Sequence, residues 1–411
     1  VKPSAYLRPD FVPGGKPIVD RMGVVHLLDA ASVREVAEGE RHGDFSMGAE
    51  WIRVVAARHG ILLAERMLSV WYFPWLTALK EPDGRDGRWP VLHEILKDYL
   101  TKQAMHDLGP YIRHFAISLV RDSVEQQLAS GGNGVFDIAA FSDRLAFHTI
   151  AELASFPHTE ADEQFMMAHL REIADRTDFV DAFRPEGPEV GEYFDRITGQ
   201  HERAGKGGLL GRIIEAFDAQ RISRPERDGL ILGLWSAGRD TTATLTALLF
   251  GLVDEAGLTQ KMVARVGSGG ADWRLAAIRE AVRFTPFAFN PTVSTRDVTL
   301  ANGFQIPALS TVNLHWAAAN RDPSVFGDDA HLYRPDRPPT RNFGFGHGIH
   351  CCLGEQLALL EVEIAAQVVY GSLPDLQITD WHRQAGLVDV VDVAVAQYDL
   401  RAAARTFGLL R

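Results

Sequence analysis

The stretch Phe345-Gly346-His347-Gly348-Ile349-His350-Cys351-Cys352-Leu353-Gly354 decides the reading of this chain. Glycine at 344, 346, 348 and 354 permits tight turns and lets backbone come close to a flat ligand. Cys351 and Cys352 are the only two cysteines of the sequence. Neighbouring cysteines cannot staple distant parts of a fold, so a disulfide framework is excluded, which fits a reducing compartment. From Glu355 to about Tyr370 the pattern predicts a helix. Its first amides would lie near the Cys352 sulfur and favour the thiolate. Two plainer readings compete: a glycine-rich surface loop with inert thiols, and a zinc site made by His347, His350, Cys351 and Cys352. Structural zinc usually takes its ligands from two separated pairs, and this cluster is local.

Around that loop lie 411 residues, 46% of them apolar, enough for a substantial core; one domain spanning 1–411 is expected. The formal net charge of −12 disfavours a nucleic-acid binder. No apolar run approaches the roughly 20 residues of a membrane helix. Val1 to Asp10 carries Lys2, Arg8 and Asp10 and lacks the apolar region of a signal peptide. A cytoplasmic protein without a membrane anchor is expected.

The chain reads as mostly helical up to about Phe284. Helices are expected at Ala30 to Glu40, Val91 to Leu100, Gln103 to Leu128, Asp137 to Ala154 and Glu189 to Ala204. The strongest runs from about Pro225 to Leu258, with Ser223 as N-cap and Pro225 in the first turn. It would be on the order of 50 Å long. It is apolar on nearly every face and therefore central. One polar notch interrupts it, Ala237-Gly238-Arg239-Asp240-Thr241-Thr242. Thr241 can bond back to a carbonyl and bend the helix, and Asp240 and Thr241 set an acid beside a hydroxyl, suited to relaying protons. Helical spacing puts Gly233, Ser236, Ala237, Asp240 and Thr241 on one face, with Trp235 turned to the core. After Phe284, prolines punctuate short segments, and Val293 to Leu300, Thr311 to Leu314 and Leu387 to Val395 read as strands. The expectation is a mainly α fold with small β-sheets (α+β).

The cysteine loop resembles the F-G-x-G-x-H-x-C-x-G signature of the cytochrome P-450 superfamily, and the notch resembles its A/G-G-x-D/E-T-T/S motif, every fixed position matching. The resemblance implies an α-rich, roughly triangular fold in which haem b lies between the long central helix and the cysteine loop. It makes Cys352 the axial iron ligand and Cys351 a bystander, packs Phe345 near haem and sulfur, and gives His350 a haem-propionate contact. Ala237, Gly238, Gly346 and Gly354 would border the haem. Thr241 would assist dioxygen at the iron, and Asp240 would connect it to bulk protons. A thiolate ligand pushes electron density onto the iron, which favours O–O cleavage.

Other segments extend the resemblance. Glu280-Ala281-Val282-Arg283 matches E-x-x-R, with Arg337 as the third partner of a buried cluster that fixes the loop. Ala319-Asn320-Arg321-Asp322-Pro323 matches A-N-R-D-P. His93 to Lys97 falls on H-x-x-x-R, with Lys97 in place of arginine and no bidentate fork. Thr292 stands where members often carry an arginine. Propionate anchoring would then rest on His93, Lys97 and His350, with Arg296 a weaker candidate.

The activity this implies is insertion of one O₂ atom into a hydrophobic, bulky natural-product intermediate, free or carrier-bound, by hydroxylation or epoxidation. Electrons would come from a ferredoxin and its reductase docking on the Cys352 side. The substrate segments would be Leu68 to Trp89, Phe165 to Tyr193 and Phe287 to Thr292, including Trp71, Phe73 and Trp75. Gly233, Ser236, Ala237, Phe287, Ala288 and Phe289 would line the pocket. The alternatives are oxidative coupling or rearrangement without oxygen insertion, and a haem-bearing recruitment protein without turnover; the intact Asp240–Thr241 pair argues against the latter.

Overall fold

Helix ends follow caps written into the sequence. Asp29, Thr101, Asp137 and Ser223 each accept a backbone N–H from the helix that follows, and Ser223 closes a full capping box with Glu226. The computed structural model describes residues 16–21, 23–59, 77–174, 188–205, 207–267, 269–284, 290–373, 375–384 and 390–410. In chain order its helices are α1 (Ala30–Gly39), α2 (Ala49–His59), α3 (Trp89–Lys97), α4 (Lys102–Ser130), α5 (Ile138–Ala154), α6 (Glu160–Ala174), α7 (Pro188–Ala204) and α8 (Gly208–Asp218). They continue with α9 (Arg224–Glu255), α10 (Thr259–Gly267), α11 (Ala271–Phe284), α12 (Trp316–Ala319), α13 (Pro323–Phe326), α14 (Glu355–Ser372) and α15 (Leu400–Thr406).

The strands are short. β1 (Ile18–Val19), β2 (Val25–Leu27), β3 (Phe45–Ser46), β5 (Asn290–Ser294) and β8 (Thr311–Leu314) form one sheet in the order β1-β2-β8-β5-β3, in which only the β2–β8 pair is parallel among the described residues. β4 (Val135–Asp137), β9 (Gln377–Gln384) and β10 (Val390–Gln397) make a second, antiparallel sheet, and β6 (Val298–Thr299) pairs with β7 (Gln305–Ile306). This is the expected α-rich fold with small sheets.

The span Val293 to Leu300 is not one strand. β5 ends at Ser294 and β6 starts at Val298, in a different sheet. The intervening turn is held from outside: Arg296 Nε donates to Asp44 Oδ1 at 2.7 Å, and Asp297 Oδ1 accepts the Ala308 N–H at 2.7 Å. Of the expected strand at Leu387 to Val395, only the portion from Val390 lies within the described residues.

The core gathers on α9. Its 32 residues span about 48 Å. It packs against α5, α14, α8, α11 and the β9–β10 hairpin, all contributing to one large apolar cluster. Trp235 is fully buried and stacks between Phe147 and Phe156, at 4.4 and 4.9 Å between ring centres. At Gly238 α9 meets α5 so closely that a Cβ would collide with the Ile150 side chain. A smaller cluster, with Leu27, Val36, Val312 and Phe343, fills the space between α1 and the first sheet.

The ionisable groups enclosed in the core include an acid that pairs with no cation among the described residues. Glu361 on α14 has Thr149 of α5 as its polar neighbour, and burial pushes its carboxyl up to about 8. The protonated form is the one the fold favours. Its stabilisation is therefore complete below the ordinary carboxyl range and is lost as pH rises toward 8. Urea unfolding is expected to show stability falling between pH 5 and 8, by at most about 1.4 kcal/mol per unit from this group. Glu361→Gln should make that slope shallower by this group's share, leaving what Glu40 contributes in the same window; an unchanged slope would acquit Glu361.

Candidate functional site

The cysteine loop is held from beneath by a buried ionic frame. Glu280 and Arg283, one turn apart on α11, meet through two bonds, Arg283 Nη2 to Glu280 Oε1 at 2.7 Å and Nε to Oε2 at 3.0 Å. Arg337 Nε reaches the same Oε1 at 3.3 Å, and Arg283 also donates to the carbonyls of Asn320 and Leu332 at 2.8 and 3.0 Å. Asn320 passes the constraint on: its Nδ2 donates to Arg283 O at 3.2 Å, and its Oδ1 accepts the Phe343 N–H at 2.6 Å. Asp322, two residues along, caps α13 and accepts the Ala30 N–H at 2.8 Å, tying in α1.

From Phe343 the chain folds into a compact loop. Gly346 N donates to Phe343 O at 2.9 Å, and Cys352 N donates to Phe345 O at 2.8 Å. Gly348 has a φ of +79°, and any Cβ there would strike the Ala37 carbonyl of α1. His347 is taken by Glu38 at 2.7 Å. The Cys352 residue keeps solvent-accessible surface although protein crowds round its thiol, as a side chain at the border of an internal space would. The amides of Gly354 and Glu355 face the sulfur as the following helix predicts, but they do not win. Burial pushes the Cys352 thiol up to about 11, and the two amides pull it back only in part. The thiolate needs a cation facing it.

The notch on α9 opens in the same way. Nearly every residue from Glu226 to Val253 is buried, but Ser236, Ala237, Gly238, Asp240 and Thr241 are not. Gly233, expected on the open face, is buried, because the opening spans under two turns. Thr241 Oγ1 donates back to Ala237 O at 2.6 Å. Asp240 Oδ1 accepts from Arg239 Nη1 at 2.5 Å, and Arg239 Nη2 meets Asp143 Oδ2 on α5 at 2.7 Å. Burial raises the Asp240 carboxyl to about 6 against the pull of Arg239.

Near the loop a polar corner assembles. His93 stacks on Trp89 at 4.5 Å, and Trp89 meets the His350 ring edge-on at 6.3 Å. His350 Nε2 is buried without a hydrogen-bond partner and faces Glu40 Oε2 at 3.6 Å. Both groups are driven toward neutrality by burial, His350 down to about 4 and Glu40 up to about 8. At that separation they are two uncharged groups, not an ion pair. Thr292 is fully buried and its hydroxyl bonds Glu40 Oε1 at 3.3 Å. Lys97 is exposed one turn beyond His93, and Arg296, the weaker candidate, is committed to Asp44 in solvent because its turn leaves the sheet. Phe287, Ala288, Phe289, Trp71, Phe73 and Trp75 lie outside the described residues.

Sequence reading missed Arg239, Asp143, Glu40 and Trp89. Arg239 carried a usable signal, since an arginine inside a buried helix requires acid partners. Glu40 carried none; its burial depends on how α1 meets the first sheet.

A family model described as Cytochrome P450 matches residues 275–369. The cyclomarin C epoxidase CymV of Salinispora arenicola is 30% identical over 315 residues, 74% of each chain. The mycinamicin IV hydroxylase/epoxidase of Micromonospora griseorubida is 27% identical over 292 residues, 70% of each. Among solved structures, the post-tailoring hydroxylase HmtN involved in himastatin biosynthesis superposes with a TM-score of 0.73 at 22% identity, covering 97% of this chain and 100% of that one.

The frame predicts its own failure. Arg283→Met leaves the Glu280 carboxylate buried without its two-bond partner, and stability should drop by about 3–5 kcal/mol in chemical denaturation. A loss below about 1 kcal/mol would show that the frame holds nothing.

Proposed function

The chain belongs to the cytochrome P450 family, and on that premise we propose that Cys352 is the thiolate ligand of its haem iron in a monooxygenase acting on a hydrophobic natural-product substrate. The cofactor of this monooxygenase is haem b. The observation that carries the ligand assignment is Cys352, whose thiol is crowded by protein while the residue keeps solvent-accessible surface. The unpartnered His350 Nε2 and the opened face of α9 also fit a flat group carrying carboxylates. A bound iron supplies the positive charge that the buried thiol needs to ionise.

When bound, haem supplies reductive activation of O₂, with one oxygen atom going to substrate and the other leaving as water. The protein's part is protonic. Asp240 holds a carboxyl near 6, suited to giving and regaining a proton close to neutral pH. Arg239 occupies Oδ1, so Oδ2 carries the transferable proton. Asp143, at 23% exposure, links this pair toward solvent. Thr241 keeps its hydroxyl on the Ala237 carbonyl, and rotation about χ1 would swing that donor into the open face.

A hydroxylation or epoxidation is supported by relatives named for those reactions, and the small side chains of Ser236 and Ala237 leave room for a bulky substrate. Electrons come from a ferredoxin and its reductase. The two cysteines of these 411 residues fall short of the four an iron–sulfur cluster takes. A cleft of about 340 Å³ where α4, α11 and α14 meet carries Lys102 and Arg279 beside Glu363, and Lys102 is the cation an acidic partner would meet there. The protein acts in the cytoplasm.

The reduced protein with carbon monoxide should give a strongly red-shifted Soret band. Cys352→Ala should lose it and Cys351→Ala should keep it; an unshifted, imidazole-like band in the wild type would sink the assignment. With surrogate redox partners and a substrate panel, Thr241→Ala should retain haem and divert electrons to peroxide. Unchanged coupling of NAD(P)H to product would remove Thr241 from its role.

A further inference from the structure

The proton path and the ligand leave one buried acid unexplained. Glu40 follows directly on the end of α1, and its side chain is 4% exposed. Its polar contacts are the Thr292 hydroxyl at 3.3 Å, the Met47 backbone N–H, and the unpartnered His350 Nε2 at 3.6 Å. Among the described residues no lysine or arginine pairs with it. On its own turn Arg41 and His42 are exposed. From α1, Glu38 is taken by His347, and Arg34 lies over the Phe343 ring at 5.6 Å. From the next loop, Asp44 holds Arg296. β3 and β5 bring no ionisable side chain, and the Gly348–His350 turn brings only His350, behind which stands His93.

A buried carboxyl beside an idle imidazole nitrogen, with no cation, is an expensive arrangement unless something fills it. We propose that Glu40, Thr292 and His350 form an uncharged hydrogen-bonding cradle for a haem propionate, in which the Glu40 carboxylic acid donates its proton to a propionate oxygen. This rests on the haem reading above. Two carboxyls in one buried site cannot both ionise, so the pair keeps one proton and a net charge of −1. No other bond is made or broken.

Burial alone already holds Glu40 up to about 8, so the acid form is present at neutral pH. The sign follows from the shared proton. Retention of haem is full while Glu40 stays protonated and is lost as pH rises through its titration, where a second negative charge faces the propionate. The test is transfer of haem from the ferric holoprotein to excess apomyoglobin, followed at the Soret band from pH 6 to 9.5. The transfer rate should be flat to about pH 8 and then climb by up to about tenfold per unit. Glu40→Gln keeps a donor that does not titrate and should flatten the profile. Thr292→Arg supplies a cation and should flatten it as well, which decides the matter if Glu40→Gln does not fold. A flat wild-type profile, or a wild-type slope surviving in whichever variant folds, overturns the cradle. If the reduced carbon-monoxide complex of the wild type lacks the red-shifted band, the haem-thiolate reading falls instead; if the band is present without the slope, only the role of Glu40 falls.

Discussion

One buried carboxylate, that of Glu280, orders the part of the molecule where the sequence is least regular. It holds Arg283 by two bonds and Arg337 by a third, and Arg283 reaches the carbonyls at 320 and 332. Desolvating three charges is costly, and the cost is met only because each hydrogen-bonding direction is used. The result is that a proline-rich run without regular structure is held by side-chain hydrogen bonds to its carbonyls. Asn320 then carries that fixity to Phe343 and so to the loop whose sulfur faces the interior.

The other half of the site depends on a helix that is nearly all core. A buried helix has no reason to expose polar groups, so the open stretch from Ser236 to Thr241 stands out against its surroundings. Small side chains create the space, and the Arg239 bridge to Asp143 keeps an acid in it without leaving a bare charge. Burial raises its carboxyl to about 6, so a protonated fraction persists close to neutral pH, and Arg239 offsets the charge of the rest.

The parts readable from sequence were those governed by local chemistry. Ser223, Pro225 and the apolar run beyond them define α9 to within three residues, and Asp137 marks the start of α5. Thr241 bonding back to Ala237 and Trp235 turned to the core follow from helical spacing alone. What escaped was decided by distant parts of the chain. Val293 to Leu300 is rich in Val and Thr and reads as one strand, but it breaks at Arg296 and Asp297, whose partners Asp44 and Ala308 lie elsewhere in the chain. Glu40 looks like an ordinary helix-end acid until the first sheet closes over it. The thiolate at Cys352 was expected from helix amides; enclosure outweighs them, a balance that no motif encodes.

The missing Cβ at Gly238 has a mechanical consequence. With the α9 backbone resting against Ile150, neither helix can slide along the other without the side chain striking main chain. α5 and α9 are therefore keyed together at this crossing, and Trp235, stacked between Phe147 and Phe156, adds a second contact beside it. The acid at Asp240 and the hydroxyl at Thr241 follow within one turn of this contact, so packing between helices fixes the stretch that carries them.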